Sequence, residues 1–178
     1  MKKLTLLRHA KSGWDDAVSR DFDRPLNPRG RKAARTVGTE MKAQSLAFDR
    51  VLASPARRVI ETLEEVEAAY GVLRPDYDQR LYLASTATLL EIVRATPDAV
   101  ERLLLVGHNP GLEELALRLS RQDGGGLRGE VELKYPTGTV AEIELAVERW
   151  ADVAEGSGKI VRFIRPRDLD PELGPDSE

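Results

Sequence analysis

The chain carries two histidines in 178 residues, and each closes an apolar run. Leu4-Thr5-Leu6-Leu7 ends at Arg8-His9, and Leu103-Leu104-Leu105-Val106-Gly107 ends at His108. An apolar run stopping at a titratable residue is the pattern of a buried strand handing its last side chain to a cleft. Both histidines in that position, one directly after an arginine, point to a site where imidazole chemistry meets an anion. Arg8 is a permanently charged fork of donors suited to phosphate or carboxylate. Arg57 and Arg58 follow Ser54-Pro55 in the first turns of an expected helix, where the dipole also favours an anion. Side chains lean toward a helix N-terminus, so Arg58 can reach over its mouth, although spacing alone leaves Arg57 open. A neutral imidazole is a nucleophile, and neighbouring arginines lower its pKa by opposing a second positive charge. His9 is thus a candidate to attack phosphorus. Arg8, one helix arginine and His108 would stabilise the transferring group, and water would then hydrolyse the phosphohistidine.

Such a site needs a scaffold that gathers distant segments. Residues 3–8, 50–53 and 102–107 are expected strands. Asn27-Pro28 sets a good N-cap before a proline at the first helical position, ahead of Ala34, Val37 and Met41 on one stripe. Ser54-Pro55 repeats that start before Val59, Ile60, Leu63 and Val66, with a connection over 71–80. Thr88 and Glu91 fit a capping box for a third helix, and Asn109-Pro110 begins a fourth. Asp123-Gly124-Gly125-Gly126 breaks the helical pattern. Thr139–Val147 then alternates like a half-exposed strand, and with Lys159–Ile164 it predicts a hairpin at a sheet edge. From Pro166 the sequence is acidic and is assigned no structure, which gives one domain over 1–165 and an acidic tail over 166–178. Alternating strands and helices predict an α/β layered fold with a largely parallel sheet. Ligands in such folds gather beyond the carboxyl ends of the strands, where Arg8-His9, Ser54-Pro55 and His108-Asn109-Pro110 all fall.

The gross composition narrows the chemistry further. Hydrophobic residues make up 41% and charged residues 32%, as in ordinary soluble domains. A formal net charge of -3 offers no general attraction to nucleic acid or anionic lipid, so an anion site must be a local cluster. The absence of cysteine excludes disulfides, thiolate metal sites and cysteine nucleophiles. Met1-Lys2-Lys3 with four apolar residues after it is too short for a signal peptide, so a cytoplasmic location is expected. Two histidines with carboxylates have the makings of a metal site, but arginine neighbours repel cations, and neither metal nor cofactor is expected. The chain has no P-loop and no G-x-S-x-G elbow.

Four ordered segments carry a family resemblance. Leu7-Arg8-His9-Ala10-Lys11-Ser12-Gly13-Trp14-Asp15 resembles the R-H-G-E-T-x-W-N signature of the histidine phosphatase, or phosphoglycerate mutase-like, superfamily. Arg24-Pro25-Leu26-Asn27-Pro28-Arg29-Gly30 resembles its P-L-T-x-x-G segment, and Ser54-Pro55-Ala56-Arg57-Arg58-Val59-Ile60-Glu61-Thr62 resembles S-P-x-x-R-A-x-Q-T. Val106-Gly107-His108-Asn109-Pro110-Gly111 resembles the V-G-H-N-P form of the short bacterial SixA-type phosphohistidine phosphatases. The resemblance implies a three-layer sandwich whose mostly parallel central sheet has helices on both faces. It implies His9 as nucleophile, with Arg8, Arg58 and His108 as the phosphate pocket and Ser12 as a further polar contact. It also selects Arg58 over Arg57.

This chain departs from the family pattern in three places. Ala10 replaces the glycine after the histidine, and Asp15 replaces the final asparagine. Where many members carry a glutamate proton donor, this chain has Arg80-Leu81-Tyr82-Leu83-Ala84-Ser85-Thr86, without a carboxylate. Alkyl phosphates expel a poor leaving group and depend on such an acid. Phosphohistidine expels imidazole, whose reference pKa of about 6.5 makes it a far better leaving group once protonated. Few insertions separate the core elements, so no lid is expected, and an open pocket suits a side chain displayed on another protein. The expected substrate is therefore phosphohistidine on a histidine phosphocarrier type of protein, with no nucleic acid or membrane partner. A small aryl, acyl or sugar phosphate and a non-catalytic phosphoryl-binding module are the alternatives. An overlooked acid would be sought at Asp15, Glu61, Glu113 or Glu114.

Overall fold

The computed structural model describes residues 1–13, 20–122 and 126–174, and six strands within them form one sheet. These are β1 (Lys2–Arg8), β2 (Arg50–Ala53), β3 (Asp76–Tyr77), β4 (Arg102–Gly107), β5 (Val140–Leu145) and β6 (Gly158–Ile164). Their spatial order is β3-β2-β4-β1-β5-β6. The pairings β2–β3, β2–β4 and β1–β4 are parallel, whereas β1–β5 and β5–β6 are antiparallel. The helices are α1 (Pro28–Ala43), α2 (Arg57–Tyr70), α3 (Thr86–Arg94), α4 (Gly111–Leu119), α5 (Gly126–Leu133) and α6 (Pro166–Leu169).

The two central apolar runs supply both faces of the sheet because successive strand side chains point to opposite sides. Leu4, Leu6, Leu103 and Leu105 pack with residues of α3, α4 and α5, along with Tyr135 and Trp150. Leu7, Leu104 and Val106 pack against Ala34, Val37 and Met41 of α1 and Val59, Leu63 and Val66 of α2. Helices therefore cover both faces, and the α/β sandwich expected from the sequence is the observed architecture. Each of these leucines is fully buried, a contribution of about 1.5–3 kcal/mol apiece on transfer alone.

Local details differ from the sequence expectations where tertiary contacts take over. Asn27 caps α1 as expected, its side chain accepting from the Gly30 amide at 2.7 Å. The helix after Ser54-Pro55 begins two residues later, at Arg57, and Ser54 is not its cap. Ser85, rather than Thr88 with Glu91, caps α3 by accepting from the Thr88 amide. Asn109 and Pro110 precede α4, which starts at Gly111; the Asn109 side chain accepts from the Glu113 amide. The connection over 71–80 contains β3, which extends the sheet beyond β2.

Strand β5 is not half exposed. It is enclosed between β1 and β6 and buried on both faces, so of the two hairpin strands β6 alone lies at a sheet edge, opposite β3. Helix α5 has no counterpart in the sequence reading; it follows the glycine-rich break, of which 123–125 lie outside the described residues. The segment from Pro166 is also folded: α6 and a single 3-10 turn over Pro171–Leu173 pack near α1, with Pro166 and Leu173 buried. Trp14, Asp15 and the last four residues of the tail lie outside the described residues.

Candidate active site

Parallel neighbours β1 and β4 end side by side, with Arg8 in register with Gly107. This register places His9 and His108 at the same end of the sheet, their ring centroids 5.3 Å apart. The third segment arrives from β2, whose Ala53 pairs with Val106 and whose continuation is Ser54. The expected convergence of three strand ends is thus the observed geometry.

Backbone contacts hold the His9 segment firmly. The His9 amide donates to the Gly107 carbonyl at 3.1 Å, and the Gly138 amide donates to the His9 carbonyl at 2.9 Å. The Ala10 amide donates to Thr62 Oγ1 at 2.9 Å, and that hydroxyl donates to the Arg58 carbonyl at 2.6 Å. One threonine therefore couples the His9 loop to the arginine turn of α2. Gly30 is required where α1 crosses this loop: a Cβ there would lie 2.0 Å from the Lys11 carbonyl oxygen.

Hydrogen bonding assigns the imidazole tautomers. His9 Nδ1 lies 2.7 Å from the Ala10 carbonyl, which can only accept, so Nδ1 carries the proton and Nε2 keeps a lone pair. Arg58 Nε donates toward that lone pair at 3.4 Å. A second guanidinium nitrogen faces His108 Nδ1 at 3.3 Å, and because arginine only donates, His108 holds its proton on Nε2, 2.8 Å from Ser54 Oγ. Both rings and Arg58 are buried. Burial pulls the His9 pKa well below its usual value. Charge from His108, Arg58 and Arg8 pulls it the same way, against the opposing hydrogen bond to Ala10. His108 is held at about 3, first by burial and then by Arg58, with Asp21 opposing. Both imidazoles are neutral at pH 7, as the nucleophile reading requires, with burial leading and the arginines reinforcing it.

Arg8 is half-buried and donates to the Tyr135 carbonyl at 2.9 Å, at the rim of the same cluster. Arg57 is directed elsewhere, to Glu61 at 2.9 Å, so Arg58 is the arginine that meets the histidines. Ser12 accepts from Arg24 at 2.7 Å. Its hydroxyl is joined to the cluster through Arg24 and Asp21, not directly to a histidine ring.

Residues 4–82 match the family described as histidine phosphatase superfamily, branch 1. Over 164 residues the chain is 38% identical to the uncharacterized protein Rv1276c of Mycobacterium tuberculosis (strain ATCC 25618 / H37Rv), covering 90% of this chain and 100% of the relative. The chain belongs to the histidine phosphatase superfamily.

Within the superfamily the likeness is to the SixA-type branch. The phosphohistidine phosphatase SixA of Escherichia coli (strain K12) is 28% identical over 149 residues, covering 79% of this chain and 83% of the relative. The solved SixA-type structure from Nakamurella multipartitia superposes with a TM-score of 0.80 at 28% identity, covering 93% of this chain and 96% of that one. The fold is accordingly the phosphoglycerate mutase-like one.

This histidine phosphatase contains site neighbours that sequence reasoning did not find. Asp21 stands in a single 3-10 turn (Asp21–Asp23), and its carboxylate accepts from Arg58 at 3.0 Å, Tyr82 at 2.6 Å and Arg24 at 3.0 Å. Its backbone carbonyl accepts from Arg58 as well, at 2.8 Å. Burial pushes the Asp21 pKa up, but the bonds from Tyr82, Arg24 and Arg58 outweigh it and hold the group at about 2. Tyr82 comes from the segment that lacks the family glutamate, and its ring stands edge-on to His108 at 5.4 Å. Ser54, read as a helix cap, is instead the partner of His108.

Of the carboxylates named as possible acids, Asp15 lies outside the described residues. Glu61 is bound by the Leu26 amide, Arg31 and Arg57, and its pKa is lowered overall despite the opposing effect of burial. Glu114 accepts from Thr86, and burial pushes Glu113 up. Among the described residues, no group of three or more His, Cys, Asp or Glu has a metal-holding arrangement. No described helix is long and apolar enough to cross a membrane.

Proposed function

We propose that this phosphatase transfers a phosphoryl group to His9 and then to water, and that its preferred donor is phosphohistidine displayed on another protein. The observation that carries this reading is the orientation of His9. The Ala10 carbonyl fixes the proton on Nδ1, so the Nε2 lone pair faces the space that Arg58 and His108 border. A fixed lone pair beside preorganised cationic donors is what in-line attack on phosphorus requires. Arg58 and Arg8 bind the equatorial oxygens and offset the charge that accumulates on them. Ser54 suits either tautomer of His108, because a hydroxyl can accept from Nε2–H or donate to a bare Nε2 when the ring proton sits on Nδ1.

Substrate preference rests on the leaving group. Tyr82 occupies the segment where a proton-donating glutamate would stand, and the one carboxylate bonded to Arg58 is held ionised. A site whose Arg58-bound carboxylate is ionised and whose Tyr82 segment carries no acid favours leaving groups that need no proton from the protein. The likeness to the phosphohistidine phosphatase SixA of Escherichia coli supports the protein-bound substrate.

A substrate panel tests this reading. Phosphate release should be fastest from a phosphohistidine-bearing protein, intermediate from an aryl phosphate and at least about 100-fold slower from a sugar phosphate. All of it should be lost in His9→Ala. Comparable rates on the aryl and sugar phosphates would contradict the preference, and undiminished turnover by His9→Ala would contradict the mechanism.

A further inference from the structure

The donors around Asp21 fill only part of its capacity. Oδ2 accepts from Arg58 and from the Tyr82 hydroxyl, and Oδ1 accepts from Arg24. An ionised carboxylate offers about four lone-pair sites, so one site on Oδ1 remains. The side chain is 37% exposed where Arg58 is 4% exposed, so this carboxylate stands on the outer side of the arginine. Three braces hold it there, from α2, from the Tyr82 segment and from the end of its own turn. A negative charge in that position opposes the binding of a dianionic phosphate, and needs a compensating use in a phosphate site.

The chemistry of a phosphoimidazole supplies that use. When phosphorus is bonded to one ring nitrogen, the ring leaves as a neutral molecule only if the other nitrogen carries a proton. Without that proton it would leave as an anion. Resting on the His9 phosphatase reading, we infer that Asp21 is a specificity-determining residue that accepts a hydrogen bond from the far N–H of the substrate imidazole. In the step itself, the lone pair of His9 Nε2 forms the new bond to phosphorus. The electrons of the breaking N–P bond stay on the substrate nitrogen. The proton on the far substrate nitrogen remains there, held by Asp21, and the departing ring is neutral. The reaction is then nearly symmetrical: the Ala10 carbonyl holds the Nδ1 proton of the receiving ring, and Asp21 holds the corresponding proton of the departing one. An oxygen ester gains nothing from this arrangement, because its leaving phenolate or alkoxide is an anion that the carboxylate repels.

The two substrate classes should therefore respond differently to removal of one charge. For Asp21→Asn, the ratio of kcat/KM on phosphoimidazole to that on p-nitrophenyl phosphate should fall at least about 30-fold, whatever common loss follows from a loosened Arg58. Tyr82→Phe, which keeps the carboxylate, should retain the wild-type ratio between the two substrates. Asp21→Ser reads the same ratio should the amide variant fold poorly. If Asp21 merely braces Arg58, both substrates lose the same factor, and an equal fall would overturn the inference while leaving the His9 mechanism intact. A wild-type protein inert toward both compounds would instead overturn the phosphatase reading on which it rests.

Discussion

At the amino end of β1, Lys2 is 1% exposed and its ammonium is bonded to the Asp98 and Val100 carbonyls and to Glu101 at 3.2 Å. The Trp150 ring lies 5.9 Å from it, and every partner is an acceptor or an electron-rich face. At the carboxyl end of the strand, Arg58 is equally buried, but two of its contacts are long ones to the lone pairs of neutral imidazoles, at 3.4 and 3.3 Å. Its other partners are the Asp21 carboxylate and carbonyl, and the anionic partner of each cation reaches solvent, Glu101 more than Asp21. One buried cation meets only acceptors and an aromatic face. The other is aimed at two rings whose protonation it opposes, and Arg8 adds a second positive charge at the rim. The first arrangement stabilises the fold, and on the proposed reading the second also keeps attraction for an incoming anion.

The same substitution at both ends separates these roles. Arg58→Met keeps the aliphatic stem and removes the guanidinium, and kcat/KM should fall about 100- to 1000-fold. Unfolding free energy should also fall, by about 1–3 kcal/mol, because the Asp21 carboxylate and carbonyl lose a charged donor. Lys2→Met should affect stability alone. Two carbonyls lose a charged donor, at a cost of about 1–3 kcal/mol, and the melting temperature should drop by several degrees with turnover per folded molecule unchanged. Steady-state kinetics and calorimetry on the two variants decide the matter. A loss of turnover in Lys2→Met that matches the loss in Arg58→Met would break the comparison.

The pH dependence sharpens it further. The His9 and His108 pKa values are depressed in the folded state, so the unfolded chain takes up protons first as pH falls through about 6.5. Stability is then full above that pH and declines below it, by up to about 1.4 kcal/mol per pH unit for each imidazole, until His108 protonates in the fold at about 3. Asp21, whose folded value is about 2, contributes stability above its ordinary 3.8 and loses it only at lower pH. Denaturant unfolding between pH 7.5 and 5 should therefore show a slope that His108→Gln reduces. Activity should persist below pH 6.5, where a solvent-exposed histidine would already be charged. A flat stability profile across that window would mean that the rings are not shielded as described.

Much of the sheet and the imidazole pair were legible in the sequence because the signals are local. Leu103 to Gly107 is an uninterrupted apolar run whose end fixes the place of His108, and Asn27-Pro28 caps a helix through its immediate neighbours. The parallel order of strands then carries both histidines to one edge without knowledge of any side-chain contact. What stayed hidden depends on distant partners. Asp21 looks like one charge among several before Arg24-Pro25, and only the fold brings it to Arg58 and Tyr82. Ser54 satisfies a capping pattern, yet His108 takes its hydroxyl. Strand β5 alternates in sequence because Glu142 and Glu144 interrupt its apolar residues. In the fold Glu142 is buried and paired with Arg162 at 2.8 Å, so that position is enclosed despite its polarity. Lys2 has no signal at all, since a lysine beside the start of a strand is ordinarily a solvated flank.

The account turns on a covalent bond between phosphorus and Nε2 of His9. Radiolabelled phosphohistidine-bearing protein, mixed with enzyme and quenched in alkali within one turnover, reads this directly once the enzyme is digested and its labelled peptide sequenced. The account predicts an acid-labile, alkali-stable label on the peptide containing His9, absent from His9→Ala. Label on any other residue, or full phosphate release by His9→Ala, would contradict it.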